Sequence, residues 1–129
     1  MEKQPNAQKW YNELISGNRV IFVYTVNDEF IGEGALVFDN GDRDYTILNQ
    51  RIYLSRMIVK SEFRNQGIGS ILIDYLVEYA RGHGYKEMSL GVDIDNHLAR
   101  HLYQEKGFNE VIFEGEDEHG KFVKLLKTL

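Results

Sequence analysis

Two patterns of apolar and polar positions run along the chain, and each predicts a different kind of element. Runs rich in β-branched and aromatic residues predict strands over residues 20–26, 30–38, 51–59, 87–92, 108–113 and 122–126. Apolar residues spaced three and four apart, with glycine after the last turn, predict helices over residues 7–15, 67–81 and 96–106. In the third helix, Leu98 and Leu102 are predicted to face inward.

The order of these elements predicts the fold class. The strand over 51–59, the helix over 67–81 and the strand over 87–92 predict a crossover between parallel neighbours, whereas the short turns elsewhere predict antiparallel hairpins. We therefore expect an α+β fold, an α/β sandwich with a mixed, mostly antiparallel central sheet. There is one proline, Pro5, and no internal repeat, so residues 1–129 are expected to form a single domain.

Composition and charge narrow the function classes. The chain is 43% hydrophobic and 27% charged, which is typical of a globular protein. It has no cysteine, which excludes disulfides, thiolate zinc sites and a cysteine nucleophile. A net charge of −5 disfavours nucleic acid and membrane partners and suits a cationic small molecule. Because residues 1–129 contain neither a long apolar run nor a signal-peptide core, we expect a cytoplasmic protein.

Residues 57–70 (MIVKSEFRNQGIGS) carry the most information about chemistry. They join a strand to the longest predicted helix, and a helix N-terminus offers unpaired N–H groups to an anion. Gly67 and Gly69 allow close approach to the backbone, and Arg64 adds a permanent positive charge. Neither the Walker pattern nor GxGxxG is present, since Leu72 stands at the third glycine position. The alternative at this point is a tight turn with glycines for backbone reasons alone.

Two motifs resemble those of one protein family. The residues Arg64-Asn65-Gln66-Gly67-Ile68-Gly69 resemble the R/Q-x-x-G-x-G/A acetyl-CoA signature of the GNAT superfamily of N-acetyltransferases. Downstream, the superfamily's second motif, N-x-x-A-x-x-L-Y-x-x-x-GF, is matched by Asn96, Ala99, Leu102, Tyr103 and Lys106-Gly107-Phe108. The resemblance implies a GNAT-like fold with a strand-helix-strand acetyl-CoA-binding core. It also implies transfer of an acetyl group from acetyl-CoA to a primary amine of a small molecule or peptide, without a metal.

The resemblance further implies roles for individual residues. The coenzyme pyrophosphate would be bound by the backbone amides of Gln66, Gly67, Ile68, Gly69 and Ser70, with Arg64 and Asn65 nearby. The pantetheine arm would pair with the strand edge of Met57, Ile58 and Val59 and accept a hydrogen bond from Asn96. The backbone N–H of Met57 or Ile58 would stabilise the oxyanion, and Tyr103 would be the general acid for the leaving sulfur.

Two departures from the family pattern leave questions open. Histone-acetylating members carry a glutamate base where this chain has Tyr53. The general base is therefore unassigned, and the candidates are Tyr53, Glu33 and Asp93. Family members place two helices before the first hairpin, whereas only residues 7–15 are predicted to be helical here. The acceptor cleft is therefore unusually open, or a second subunit or a missing segment covers it, and our hypothesis is a homodimer that completes the site. The alternative function is a catalytically silent acyl-CoA-binding or sensor module.

Three charged features of the sequence are predicted to have a structural role and not a functional one. His97 and His101 have the spacing of a metal pair, but they lack a third ligand and are predicted to lie on a solvated helix face. The segment 39–44 (DNGDRD) lacks the final glutamate of a calcium loop, because Gln50 stands there, and is predicted to be a solvated loop. Arg56 lies within an apolar strand and needs a partner that the sequence does not identify.

Overall fold

The computed structural model describes the backbone of residues 9–15 and 17–129 and the side chains of residues 17–129. The described elements comprise seven strands, two α-helices and a 3₁₀ turn over Ser61–Phe63. The strands are β1 (Lys9–Ile15), β2 (Arg19–Val26), β3 (Glu29–Val37), β4 (Arg51–Val59), β5 (Glu87–Asp93), β6 (Glu110–Asp117) and β7 (Gly120–Thr128). The helices are α1 (Ile68–Gly82) and α2 (His97–Glu105).

The seven strands form one sheet in the order β1-β2-β3-β4-β5-β7-β6. Every neighbouring pair is antiparallel except β4 and β5, which are parallel and connected through α1. This architecture confirms the predicted α+β class and the strand-helix-strand crossover. It also places the one parallel pair in the middle of the sheet.

The main core lies between α1 and one face of the sheet. The apolar stripe of α1 is buried against alternate residues of the central strands, as the helical spacing predicted. The completely or almost completely buried members of this cluster include Phe22, Leu36, Ile52, Ile73, Leu76, Met88 and Leu90. Because β4 and β5 both contribute to this core, α1 fixes the positions of the two strands relative to each other.

Most predicted boundaries in the central region agree with the structure. Helix α1 begins one residue later than predicted, because Gly67 is its N-cap, and α2 is capped by Asn96 and Lys106 at the predicted ends. The hairpin between β2 and β3 turns at Asn27 and Asp28, with φ of +54° and +67°. These residue types tolerate such angles, which suit a tight hairpin turn.

The predicted helix over residues 7–15 is wrong, because Lys9–Ile15 is strand β1, paired antiparallel with β2. Residues 7 and 8 lie outside the described residues. The register between the two strands shifts between Asn12 and Leu14, so Glu13 is an extra residue on β1. Such a bulge interrupts the two-residue alternation of a strand, and the spacing of Trp10, Leu14 and Ile15 then resembles that of a helix.

Two expectations for the C-terminal part also need correction. The second hairpin is longer than predicted, since β6 spans Glu110–Asp117 and includes acidic residues that lay between the predicted strands over 108–113 and 122–126. Acidic side chains suit β6 because it is an edge strand and is largely exposed. Leu98 was predicted to face inward, but it is 82% exposed in the first turn of α2, whereas Leu102 does pack against the core.

Candidate active site

The strands β4 and β5 pair only over their first three residues and then separate. The pairs are Arg51 with Glu87, Ile52 with Met88, and Tyr53 with Ser89. Beyond them β5 stays paired with β7 as far as Asp93, and β4 stays paired with β3. A wedge therefore opens between the two parallel strands. We call it the β4–β5 opening, and we call its closed end, at the Tyr53–Ser89 pair, the vertex.

A β-bulge in β4 lies at the start of this opening. The register with β3 shifts between the pairs Ala35–Arg56 and Leu36–Leu54, which leaves Ser55 as the extra residue. A bulge bends its strand and increases the local twist, so it directs the rest of β4 away from β5. The last three residues of β4 pair with β3 on one side and present their other edge to the opening; they are Met57, Ile58 and Val59.

The loop after β4 leads directly into the N-terminus of α1. Two left-handed residues turn the chain there, Asn65 with φ of +64° and Gly67 with φ of +80°. The first helical hydrogen bond runs from the N–H of Ile71 to the carbonyl of Gly67 at 3.1 Å, so the preceding N–H groups have no partner within the helix. The first turn contains no acidic residue. These N–H groups and the helix dipole therefore suit an anion at the wide end of the opening.

Gly67 and Gly69 are required for different reasons. A Cβ on Gly67 would meet nothing within 4 Å, but the positive φ of this residue favours glycine. A Cβ on Gly69 would lie 3.2 Å from Cδ2 of Leu102, so this glycine allows α2 to approach α1 closely. Arg64 is exposed and its Nε donates to the carbonyl of Val59 at 3.1 Å. That hydrogen bond holds a guanidinium beside the helix N-terminus.

Helix α2 contributes Asn96 and Tyr103. Oδ1 of Asn96 accepts a hydrogen bond from the N–H of Ala99 at 3.2 Å, which makes Asn96 the N-cap. The cap uses only the amide oxygen, so the NH₂ group of Asn96 can donate to a further acceptor. Tyr103 is half-buried and makes an edge contact with Phe108, with 6.0 Å between ring centroids. Burial raises the pKa of the Tyr103 hydroxyl, so it stays protonated at neutral pH.

A charged cluster that the sequence did not reveal holds the β3–β4 loop against the sheet. Lys124 on β7 is only 8% exposed, and its Nζ donates to Asp42 at 2.9 Å and to Asp44 at 3.0 Å. The same ammonium lies over the rings of Tyr45 and Phe113, at 4.7 and 4.5 Å from their centroids. Burial alone would lower the pKa of Lys124, but the two aspartates outweigh burial and raise it. The available signal was the single lysine within the predicted strand over 122–126 (FVKLL).

The sequence model of the Acetyltransferase (GNAT) family matches residues 1–108. The chain belongs to the GNAT acetyltransferase family. It is 36% identical to human N-acetyltransferase 8 over 77 residues, which are 60% of this chain and 32% of that protein. It is 31% identical to N-alpha-acetyltransferase 30 of Schizosaccharomyces pombe over 87 residues, which are 67% of this chain and 55% of that protein. The chain thus spans about a third to a half of these relatives.

A solved GNAT structure shares the fold. It is the GNAT family acetyltransferase from Elizabethkingia anophelis with acetyl-CoA bound, which superposes with a TM-score of 0.74 at 20% sequence identity. The superposition covers 87% of this chain and 77% of that chain. The likeness confirms the GNAT fold expected from the two motifs.

The three residues considered for a GNAT base lie in different places. Tyr53 lies at the vertex, and burial raises its pKa, which makes phenolate scarce near neutral pH. Glu33 is paired in register with Ile58, and its carboxylate lies 2.8 Å from Nε of Arg56. That ion pair supplies the partner Arg56 needed, although Arg56 itself is exposed. Asp93 is exposed at the end of β5, at the wide end of the opening.

The described residues contain neither a metal-binding cluster nor a membrane-spanning helix. No group of three or more histidine, aspartate or glutamate side chains suited to a metal ion occurs among residues 17–129. His97 and His101 are exposed, and His101 lies 3.2 Å from Glu105. Neither described helix has the length and apolar character needed to cross a membrane.

Proposed function

We propose that this protein transfers the acetyl group of acetyl-CoA to a primary amine of a small molecule or peptide. The observation that carries the proposal is the β4–β5 opening aligned with the N-terminus of α1. Coenzyme A has an anionic pyrophosphate at one end of a pantetheine arm with amide groups. The helix N-terminus suits the pyrophosphate, and the open edge of β4 suits the amides as an added strand would.

This placement puts the reactive end of the coenzyme near the vertex. With the pyrophosphate beside Gly67, the arm runs back along Val59, Ile58 and Met57 toward Tyr53. A backbone N–H of Met57 or Ile58 on the open edge can donate to the oxygen that becomes negative when the amine attacks the thioester. Because such a donor is fixed by the β4–β3 pairing, it needs no rearrangement during the reaction.

Tyr103 is proposed to assist the leaving sulfur by donating a hydrogen bond. The pKa of its hydroxyl is raised above 10.0, whereas a thiol ionises near 8.5. Complete proton transfer from the phenol to the thiolate would therefore cost about 2 kcal/mol or more. Stabilising the thiolate by a hydrogen bond avoids that cost, and the thiolate takes its proton from water.

The charges around the opening bear on which amine is the acceptor. Several acidic groups around the opening are already paired, Asp42 and Asp44 with Lys124 on the loop side, and Glu33 with Arg56 farther along β4. The excess of negative charge lies instead on the exposed strand β6 and its turn. The overall charge of −5 therefore gives little support to a polycationic acceptor. A peptide or a singly charged amine suits this opening better.

The test is to measure thiol release and product formation with acetyl-CoA and a panel of amines. The panel contains spermidine, a lysine-containing peptide and an alanine-initiated peptide. We expect one of them to yield an acetylated product in a one-to-one ratio with released thiol. Binding of acetyl-CoA without turnover across a broad panel would favour the silent acyl-CoA-binding module, and absence of binding would contradict both functions.

The cytoplasmic location and the self-association of the protein stay predictions.

A further inference from the structure

The hydroxyl of Tyr45 lies at the β4–β5 opening, on the face of the sheet opposite α1. Along β5, Met88, Leu90 and Val92 are buried in the core that contains α1, so Ser89 and Gly91 face the other way. Gly91 is two residues beyond the last pair with β4. A Cβ built on Gly91 would collide with the Tyr45 hydroxyl oxygen. The β3–β4 loop thus brings a phenol to Gly91, the first residue of β5 past the vertex that faces away from α1.

The ring of Tyr45 is held firmly, and its hydroxyl is the part left available. The ring stacks on Tyr53, with 4.2 Å between centroids and 25° between planes, and it also lies under Nζ of Lys124. Its backbone carbonyl accepts a hydrogen bond from Oγ of Ser89 at 2.6 Å. Among the residues whose side chains are described, none forms a hydrogen bond with the Tyr45 hydroxyl.

The two tyrosines assigned to the reaction lie on opposite faces of the sheet. Tyr103 comes from α2, which lies on the same side as the core, whereas Tyr45 comes from the loop side. An amine acceptor has to reach the thioester carbonyl from the face that the helices leave open. We propose that Tyr45 is an acceptor-binding residue whose hydroxyl oxygen accepts a hydrogen bond from an N–H of the attacking amine. This inference rests on the proposed acetyltransferase function.

The chemistry of Tyr45 is that of a binding group and not of a base. Burial first, and then the neighbouring Tyr53, raise the pKa of Tyr45 to about 12. The hydroxyl therefore keeps its proton throughout the neutral range and donates it to a water molecule while its oxygen accepts from the amine. The neutral amine forms the new C–N bond and the carbonyl oxygen becomes negative; the C–S bond then breaks, its electron pair leaves with sulfur, and the amine's surplus proton goes to solvent.

The direct test observes the phenol ring during titration with coenzyme. In protein labelled with ¹³C at Cζ of its eight tyrosines, the Tyr45 signal is identified by its loss in Tyr45→Phe. We expect this signal to differ between the complexes with coenzyme A and with acetyl-CoA, because the acetyl group lies beside it. A Tyr45 signal that is identical in both complexes, while that of Tyr103 responds, would overturn the inference and leave the proposed function standing. If no tyrosine responds to either ligand, the proposed function fails as well.

A kinetic test separates amine binding from coenzyme binding. Tyr45→Phe keeps the stack on Tyr53 and removes only the hydroxyl. With the most active amine of the panel, we expect KM for that amine to rise about three- to tenfold, which is the loss of one hydrogen bond. The dissociation constant of acetyl-CoA should stay unchanged. The matched control is Tyr85→Phe, whose ring stacks on Phe38 away from the opening and should leave both constants unchanged. An unaltered amine KM and kcat in Tyr45→Phe would contradict the inference.

Discussion

Tyr103 is half-buried, and its ring and its hydroxyl can be tested separately. Its ring contacts Phe108 and the core, and a phenylalanine would keep those contacts. We expect Tyr103→Phe to lower kcat roughly 10- to 100-fold, since it removes a hydrogen bond to the developing thiolate. Coenzyme affinity and thermal stability should change little. Turnover measured by thiol release, beside calorimetric binding of acetyl-CoA, checks this, and an unchanged kcat would exclude the role.

Gly67 offers a test of the anion site with a close control. Gly67→Asp adds backbone strain at a positive φ and places a negative charge at the helix N-terminus. Gly84 has φ of +86°, and a Cβ there also meets nothing within 4 Å, but it follows the other end of α1. We expect Gly67→Asp to weaken acetyl-CoA binding roughly tenfold or more, whereas Gly84→Asp weakens it little. Equal binding by both variants in calorimetry would show that the pyrophosphate lies elsewhere.

At this scale the sequence singled out Gly67 and Gly69 but did not separate the reasons for them. Gly67 and Gly69 form one motif in the sequence, and both were interpreted as giving access to a phosphate. The structure separates them, because Gly67 is needed for its backbone angle and Gly69 for the contact with Leu102. The distinction depends on where α2 packs, and no local pattern around residue 69 contains that information.

Among the elements, β4 is expected to be sensitive to crowding from β3. A Cβ on Gly32 would lie 2.7 Å from the backbone oxygen of Ile58, and a Cβ on Gly34 would lie 2.7 Å from a side-chain atom of Leu76. Each alanine variant should lower the free energy of unfolding by about 1–3 kcal/mol through overpacking. Only Gly32→Ala has to displace the strand edge proposed to hold pantetheine. We therefore expect weaker acetyl-CoA binding in Gly32→Ala and nearly unchanged binding in Gly34→Ala.

Denaturant unfolding and calorimetry on the two glycine variants check this expectation together. Both variants should be less stable than the wild-type protein, which makes Gly34→Ala a control for stability alone. Equal coenzyme affinity in the two would mean that the Ile58 edge of β4 does not contact the coenzyme.

The Lys124 cluster predicts how stability depends on pH. Hydrogen bonding to Lys124 lowers the pKa of Asp42 below its ordinary 3.8, so this stabilisation is present above pH 3.8 and is lost as pH falls through the folded-state pKa. The pKa of Lys124 is raised above 10.5, so its contribution is present below that pH and is lost at more alkaline pH. Lys124→Met should lower the free energy of unfolding by about 1–3 kcal/mol near neutral pH.

Thermal melts at several pH values distinguish this electrostatic effect from simple packing. The difference in Tm between wild-type protein and Lys124→Met should shrink as the pH falls below that ordinary value of 3.8. A difference that stays constant from neutral to acidic pH would show that the lysine acts through packing alone.

The elements that the sequence predicted well are those with local signals. Helix α1 has a strong apolar stripe and glycines at both ends, and α2 has an asparagine cap. Strand β1 was missed because a bulge at Glu13 disturbs its alternation. The Lys124 cluster was missed because Lys124 and Asp42 are 82 residues apart, and only the sheet order brings them together. The position of Tyr45 at the opening depends on the same long-range contact between the β3–β4 loop and β7.

For the molecule as a whole, the fold explains how one sheet can present two substrates to each other. Helix α1 and the core fix β4 and β5 at their paired ends, while the bulge at Ser55 directs the rest of β4 away. In the proposed function the coenzyme would enter from the helix N-terminus, and the acceptor would enter from the loop side where Tyr45 and Tyr53 stack.

The measurement that tests this account most directly is a crystal structure of the protein with acetyl-CoA. We predict that the pyrophosphate accepts hydrogen bonds from the backbone N–H groups at Gly67 to Ser70. The pantetheine should lie along Met57–Val59 within the opening, with its thioester between Tyr103 and Tyr45. A coenzyme bound at any other surface, with the β4–β5 opening left to solvent, would contradict the account.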